Sequence, residues 1–143
     1  MNRVPTGGVL PDTSVWVRYF RPKGYEAIKR EIEQVLALEA VFTCWVVKAE
    51  LLVGAKDDES FERLLSQLHA LQEVTLTPEI WREAARVGYR LRREGFTVPL
   101  PDLLVAQCAI AAGLELWHAD VHYEHVRAVA PLRTRAFLEV GES

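Results

Sequence analysis

The chain predicts an α/β domain, a short and mainly parallel central sheet flanked by helices. Three observations point there. Half of the 143 residues are hydrophobic, enough to fill one core of ordinary domain size. Segments with helical spacing alternate with short β-like runs, the pattern of strand–helix–strand crossovers. No linker, low-complexity run or internal duplication divides residues 1–143, so they are read as a single domain.

The elements follow in order. Val9-Leu10 is a short apolar run. Pro11 lacks an amide donor, so this first strand ends there or lies with that side free. Leu-Pro-Asp at 10–12 leads into a stretch of helical character, and the same triplet recurs at 100–102. Residues 25–38 place Tyr25, Ile28, Ile32 and Val35 on one helix face. Val41-Phe42-Thr43 is a second β-run, and residues 45–56 form a helix with Gly54 near its end. Residues 59–70 repeat the amphipathic spacing with Phe61, Leu64, Leu65 and Leu68. A third β-run spans Glu73–Leu76, and residues 78–94 carry Ile80, Ala84, Val87 and Leu91 on one stripe. Residues 102–112 are apolar nearly all round, which marks a buried helix that Pro101 suits at its first position. Leu114–Trp117 is a fourth β-run, and a fifth is expected near Leu132–Phe137.

Composition excludes several classes. A net charge of −3 with 26% charged residues tells against wide electrostatic coating of nucleic acid, while permitting a local basic strip. The longest apolar stretch, Leu103–Leu114, is too short for a bilayer. The N-terminal MNRVPTGGVLPD lacks the apolar core and cleavage site of a signal peptide. A cytoplasmic location is therefore expected. Cys44 and Cys108 lie in apolar surroundings without CxxC spacing. They are read as buried free thiols rather than a disulfide or zinc framework.

In parallel α/β sheets, sites form beyond the carboxyl ends of the strands. Asp12 follows the first β-run, Asp120 follows the fourth, Glu50 lies in the helix after the second, and Asp102 opens the buried helix. All four acids are expected at one edge of the sheet. Taken singly, Asp12 and Asp102 are ordinary helix-start residues. Glu50 is less easily explained that way. Flanked by Ala49, Leu51 and Leu52, it is costly to bury unless paired, and otherwise sits on a solvent stripe beside Lys48. Clustered carboxylates repel one another, and a hard divalent cation such as Mg²⁺ or Mn²⁺ relieves the repulsion. Such an ion activates water and steadies a phosphodiester transition state.

Four blocks carry a resemblance: Asp-Thr-Ser-Val-Trp at 12–16, Glu-Leu-Leu-Val-Gly-Ala at 50–55, Val-Pro-Leu-Pro-Asp-Leu-Leu-Val-Ala at 98–106, and Leu-Trp-His-Ala-Asp-Val-His-Tyr at 116–123. In this order, over residues 9–135, the chain resembles PIN domains, and within them the VapC toxins of toxin–antitoxin modules. The resemblance implies a metal-dependent endoribonuclease. Its acidic quartet falls on Asp12, Glu50, Asp102 and Asp120, holding Mg²⁺ or Mn²⁺ and orienting water for in-line attack that leaves a 5′-phosphate and a 3′-hydroxyl. It also implies a homodimer and a VapB-like antitoxin whose C-terminal segment covers the acids. Ser14 and His118 are site-adjacent positions on this reading. Three departures stand out: Pro11 before the first acid, His118 where the family often has Thr or Ser, and His122 where the motif's last acid is usual. The last lowers the carboxylate count and favours one firmly held ion, with a second only alongside substrate phosphate.

His118, His122 and His125 are spaced by four and three, as in some zinc sites. His118, however, ends a β-run and Asp120 is placed at the next helix start, so one shared helix face is ruled against. His118 is expected to approach the acids and contact phosphate or the attacking water. His122 and His125 are assigned to a solvated helix surface, and His69 to no visible partner. Arg82, Arg86, Arg90 and Arg93 form a stripe with Arg92 beside it, against the single acid Glu83. It is either the solvated back of an amphipathic helix or an RNA phosphate track leading to Asp102, to which Arg18 and Arg21 add. Trp16, Trp45 and Trp81 are read as core or interface anchors rather than base-stacking platforms. Two further functions stay open on the sequence: a house-keeping RNA-processing nuclease without an antitoxin, and a non-catalytic RNA- or protein-binding module, which the change at His122 favours.

Overall fold

A computed structural model describes residues 7–138. The first strand, β1 (Val9–Pro11), is followed by α1 (Thr13–Tyr19) and α2 (Glu26–Ala37), then β2 (Phe42–Thr43), α3 (Trp45–Val53) and α4 (Asp58–His69). The second half runs β3 (Gln72–Glu73), α5 (Pro78–Arg93), α6 (Leu100–Ala112), β4 (Glu115–His118), α7 (His122–Arg127) and β5 (Arg133–Ala136). Every strand pairing is parallel: β1 with β4, β4 with β5, and β2 with β3. A parallel bridge between Val9 and Val41 joins the two groups, so the strands lie in the order β3-β2-β1-β4-β5. The expected α/β class is what the chain adopts.

With the right-handed crossovers of parallel connections, this order puts α1–α4 on one face and α5–α7 on the other. Within the faces α1 meets α2 and α3, and α6 meets α5 and α7, while α3 also touches α6. Val9, Leu10, Leu116 and Trp117 are buried between the layers. Gly88 lets α5 and α6 approach closely, since a Cβ there would lie 2.6 Å from Leu103 Cδ1. That contact fixes the helix carrying Asp102. Gly113 closes α6 in the left-handed conformation, φ +68°, which suits glycine.

Several expectations shift by local chemistry. The third strand is Gln72–Glu73 rather than 73–76, because β2 offers it only two residues to pair with. Helix α6 starts at Leu100, two residues earlier than read, so Pro101 takes the second helical position. Proline costs nothing there, because first-turn amides have no intrahelical acceptor. Pro11 does pair within β1. The Asp12 amide donates to the Trp117 carbonyl at 2.8 Å, so by strand alternation the Pro11 nitrogen faces β2. On that side β1 is joined by the Val9–Val41 bridge alone, and no amide is needed. Trp16 is buried, but Trp45 and Trp81 are about half exposed and are not core residues. Cys44 and Cys108 are indeed buried free thiols.

Candidate active site

Strand order reverses around β1: its sequence neighbour β2 lies on one side and β4 on the other. The crevice beyond the carboxyl ends of β1 and β4 is therefore the expected ligand position. Asp12, directly after β1, caps α1. Its Oδ2 accepts from the Ser14 amide at 3.1 Å and the Ser14 hydroxyl at 2.7 Å, and its Oδ1 accepts from the Tyr123 hydroxyl at 2.6 Å. Ser14 also receives the Ala119 amide at 3.0 Å. One hydroxyl thus ties the end of β1 to the end of β4. Glu50 reaches this corner from α3 and accepts from the Thr13 hydroxyl at 2.6 Å.

On the other side, Asp102 sits in the first turn of α6, and Asp120 lies two residues beyond β4. Asp120 is not the start of α7 but lies just before it, where its Oδ1 accepts the amide of His122, the first helical residue, at 2.9 Å. His122 Nδ1 lies 3.0 Å from Asp102 Oδ2 and 3.3 Å from Asp120 Oδ1. One ligand atom from each of Asp102, Asp120 and His122 falls within 4.8 Å of the others. Burial, with the charges of Asp12 and Asp120 adding to it, pushes the Asp102 carboxyl up to about 6, even though the His122 bond pulls the other way.

The histidine assignments need correcting. His122 is part-buried rather than on a fully solvated surface, and its ring meets Asp102 and Asp120. His118 is fully buried and does not reach the acids as a free side chain. Its Nδ1 accepts the Asp120 amide at 3.1 Å, so its Nε2 carries the proton and donates to Glu124 Oε2 at 2.7 Å. It positions Asp120 from beneath. Burial would raise the Glu124 carboxyl, but bonds from Arg127, His118 and Thr134 outweigh it and hold it below the usual range. His125 stacks on Phe96 with centroids 4.3 Å apart. His69 has a partner after all, the edge of Trp45 at 5.8 Å.

Glu50 and Lys48 exchange the places expected of them. Glu50 is exposed and needs no compensation for burial. Lys48 is 1% exposed and pairs with Glu73 under the Trp45 ring. Tyr123 was not foreseen. It is fully buried, and desolvation together with the charges of Asp12 and Asp102 pushes its hydroxyl well above the usual range. The signal was its place directly after His122 in a motif whose last residue is aromatic.

Among the described residues no lysine or arginine is ion-paired with Asp12, Glu50, Asp102 or Asp120. Carboxylate oxygens without a matching cation, plus one imidazole nitrogen, fit a divalent ion. Arg82, Arg86, Arg90 and Arg93 are all exposed on α5. Arg82 and Arg86 lie within 4.0 Å of Glu83, while Arg93 lies over the Tyr89 ring at 5.7 Å. The end of α5 that bears Arg90 and Arg93 leads directly into the start of α6 and Asp102.

A family model described as PIN domain matches residues 9–129. Ribonuclease VapC11 of Mycobacterium tuberculosis is 32% identical over 133 residues, covering 90% of this chain and 98% of that protein. Ribonuclease VapC18 of the same organism is 26% identical over 122 residues, covering 82% and 86%. Among solved structures, FitAcB from Neisseria gonorrhoeae superposes with a TM-score of 0.74 at 18% identity, covering 88% of this chain and 95% of that one. VapBC2 from Rickettsia felis, bound to a promoter DNA fragment, gives 0.71 at 18% identity, with 90% and 98% covered. These likenesses show the fold.

Proposed function

Given that the chain belongs to the PIN domain family, we propose that it is a VapC-like endoribonuclease, the toxin of a toxin–antitoxin pair, hydrolysing RNA phosphodiester bonds with the help of Mg²⁺ or Mn²⁺. The observation that carries the reading is similarity to named VapC ribonucleases, 32% over 90% of this chain. An uncompensated group of acids at the switch point of the sheet supports it. Asp12, Glu50, Asp102 and Asp120 are assigned to hold the ion. When bound, that ion supplies charge to the phosphodiester and lowers the pKa of an attacking water.

The chain's own residues supply the positioning. Tyr123 and Ser14 fix both oxygens of Asp12. Thr13 orients Glu50, and His118 holds the loop that presents Asp120. Arg90 and Arg93 are assigned to RNA phosphates approaching along α5, and Arg82 and Arg86 extend the track. The partners that fit this reading are RNA, a VapB-like antitoxin and a second copy of the chain. Among the described residues no helix is long and apolar enough to cross a membrane.

The test is direct. Purified protein cleaves RNA when magnesium is added and stops when it is chelated. Undiminished cleavage by an Asp12→Asn, Asp102→Asn double variant would overturn the residue assignment. Unchanged growth of cells expressing the chain alone would count against the toxin role.

A further inference from the structure

We propose that His122 is itself a metal ligand, through Nδ1, and that this nitrogen makes the site favour Mn²⁺ over Mg²⁺. The inference rests on the metal-dependent reading above and concerns which atoms hold the ion. Neighbouring ligands on an octahedral ion at about 2.1 Å stand about 3.0 Å apart. His122 Nδ1 lies 3.0 Å from Asp102 Oδ2 and 3.3 Å from Asp120 Oδ1.

Two carboxylate oxygens converge on one ring nitrogen, which carries at most one proton and satisfies one of them well. A cation among the three atoms satisfies all of them. The His122 amide already fixes Asp120 Oδ1 at 2.9 Å, and Gly88 seats the helix that presents Asp102. Among the described residues the His122 ring makes no hydrogen bond through Nε2, so its polar contacts are confined to Asp102 and Asp120. His118 cannot serve instead, because both its ring nitrogens are engaged.

The choice of ion follows from ligand chemistry. Mg²⁺ binds oxygen and rarely gives up water for imidazole, whereas first-row transition ions accept nitrogen. A site in which histidine stands for the usual acid therefore loses more affinity for Mg²⁺ than for Mn²⁺.

The experiment uses the full chain loaded with Mn²⁺ alone. Electron spin-echo envelope modulation detects a nitrogen nucleus bonded to the ion. The wild type is expected to show that coupling and His122→Asp to lack it. In competition titrations His122→Asp lowers the preference for Mn²⁺ over Mg²⁺ by roughly tenfold, the scale on which groups around a bound metal set affinity. Bound Mn²⁺ without nitrogen coupling in the wild type overturns the proposal and leaves the metal reading standing. Coupling that persists in His122→Asp overturns it as well, since another nitrogen is then the source. No Mn²⁺ binding by folded wild-type protein overturns both.

Discussion

Replacing Asp102 with asparagine is expected to stabilise the metal-free protein at neutral pH while removing a ligand. The Asp102 carboxyl is raised from 3.8 to about 6, first by burial and then by neighbouring carboxylates. Its folded-state value lies above its unfolded value, so the folded chain holds this proton more tightly. Its favourable contribution is complete below pH 3.8, declines as pH rises from there to about 6, and is gone above that. A gap of roughly two pH units corresponds to about 3 kcal/mol. The side chain is 16% exposed, and water screening trims the figure to about 2–3 kcal/mol. In a chain of this size that is a rise in Tm of roughly 5–10 °C for Asp102→Asn at pH 7.5. At pH 4 the gain shrinks toward zero. The assay is urea and thermal unfolding of both proteins in chelator across that pH range. An asparagine variant no more stable than wild type at pH 7.5 would refute the claim that Asp102 is strained by burial and by uncompensated charge.

The same carboxyl makes divalent-ion affinity fall below about pH 6, by up to roughly tenfold per pH unit as protons compete, which calorimetric Mn²⁺ titrations read. Tyr123→Phe removes a buried donor to Asp12 and costs about 1.5–3 kcal/mol; an unchanged urea midpoint would show that the bond contributes nothing. Glu73→Ala strands the Lys48 ammonium under Trp45 and costs about 3 kcal/mol, whereas Lys48→Met is close to neutral; equal losses in the two variants would contradict this. Arg90→Ala with Arg93→Ala weakens RNA binding across sequences and reduces the salt slope by roughly one per lost phosphate contact. A slope identical to wild type would assign those arginines to a merely solvated face.

The α/β class, the helix faces and the order of the acids were legible in the sequence because they depend on periodicity and on helix-start chemistry. Apolar residues at three- and four-residue spacing must face a core wherever it lies. Leu-Pro-Asp opens a helix or caps one by its own local geometry, and both copies do so here. Resemblance added the endoribonuclease reading to four acids that the strand-end rule had already placed together. What it could not add was pairing. His122 looked like surface because its Asp102 partner is twenty residues away. Tyr123 went unassigned because its hydroxyl meets Asp12, which is 111 positions distant. Lys48 reversed expectation for the same reason, since a charge can be buried only where a partner from another element, here Glu73, reaches it. Local sequence decides what each residue prefers, but which groups share a buried volume depends on strand order and helix packing. Those are set by the whole chain closing around β1 and β4, and there the structure turned two helix-start aspartates and a surface-looking histidine into neighbours of one site.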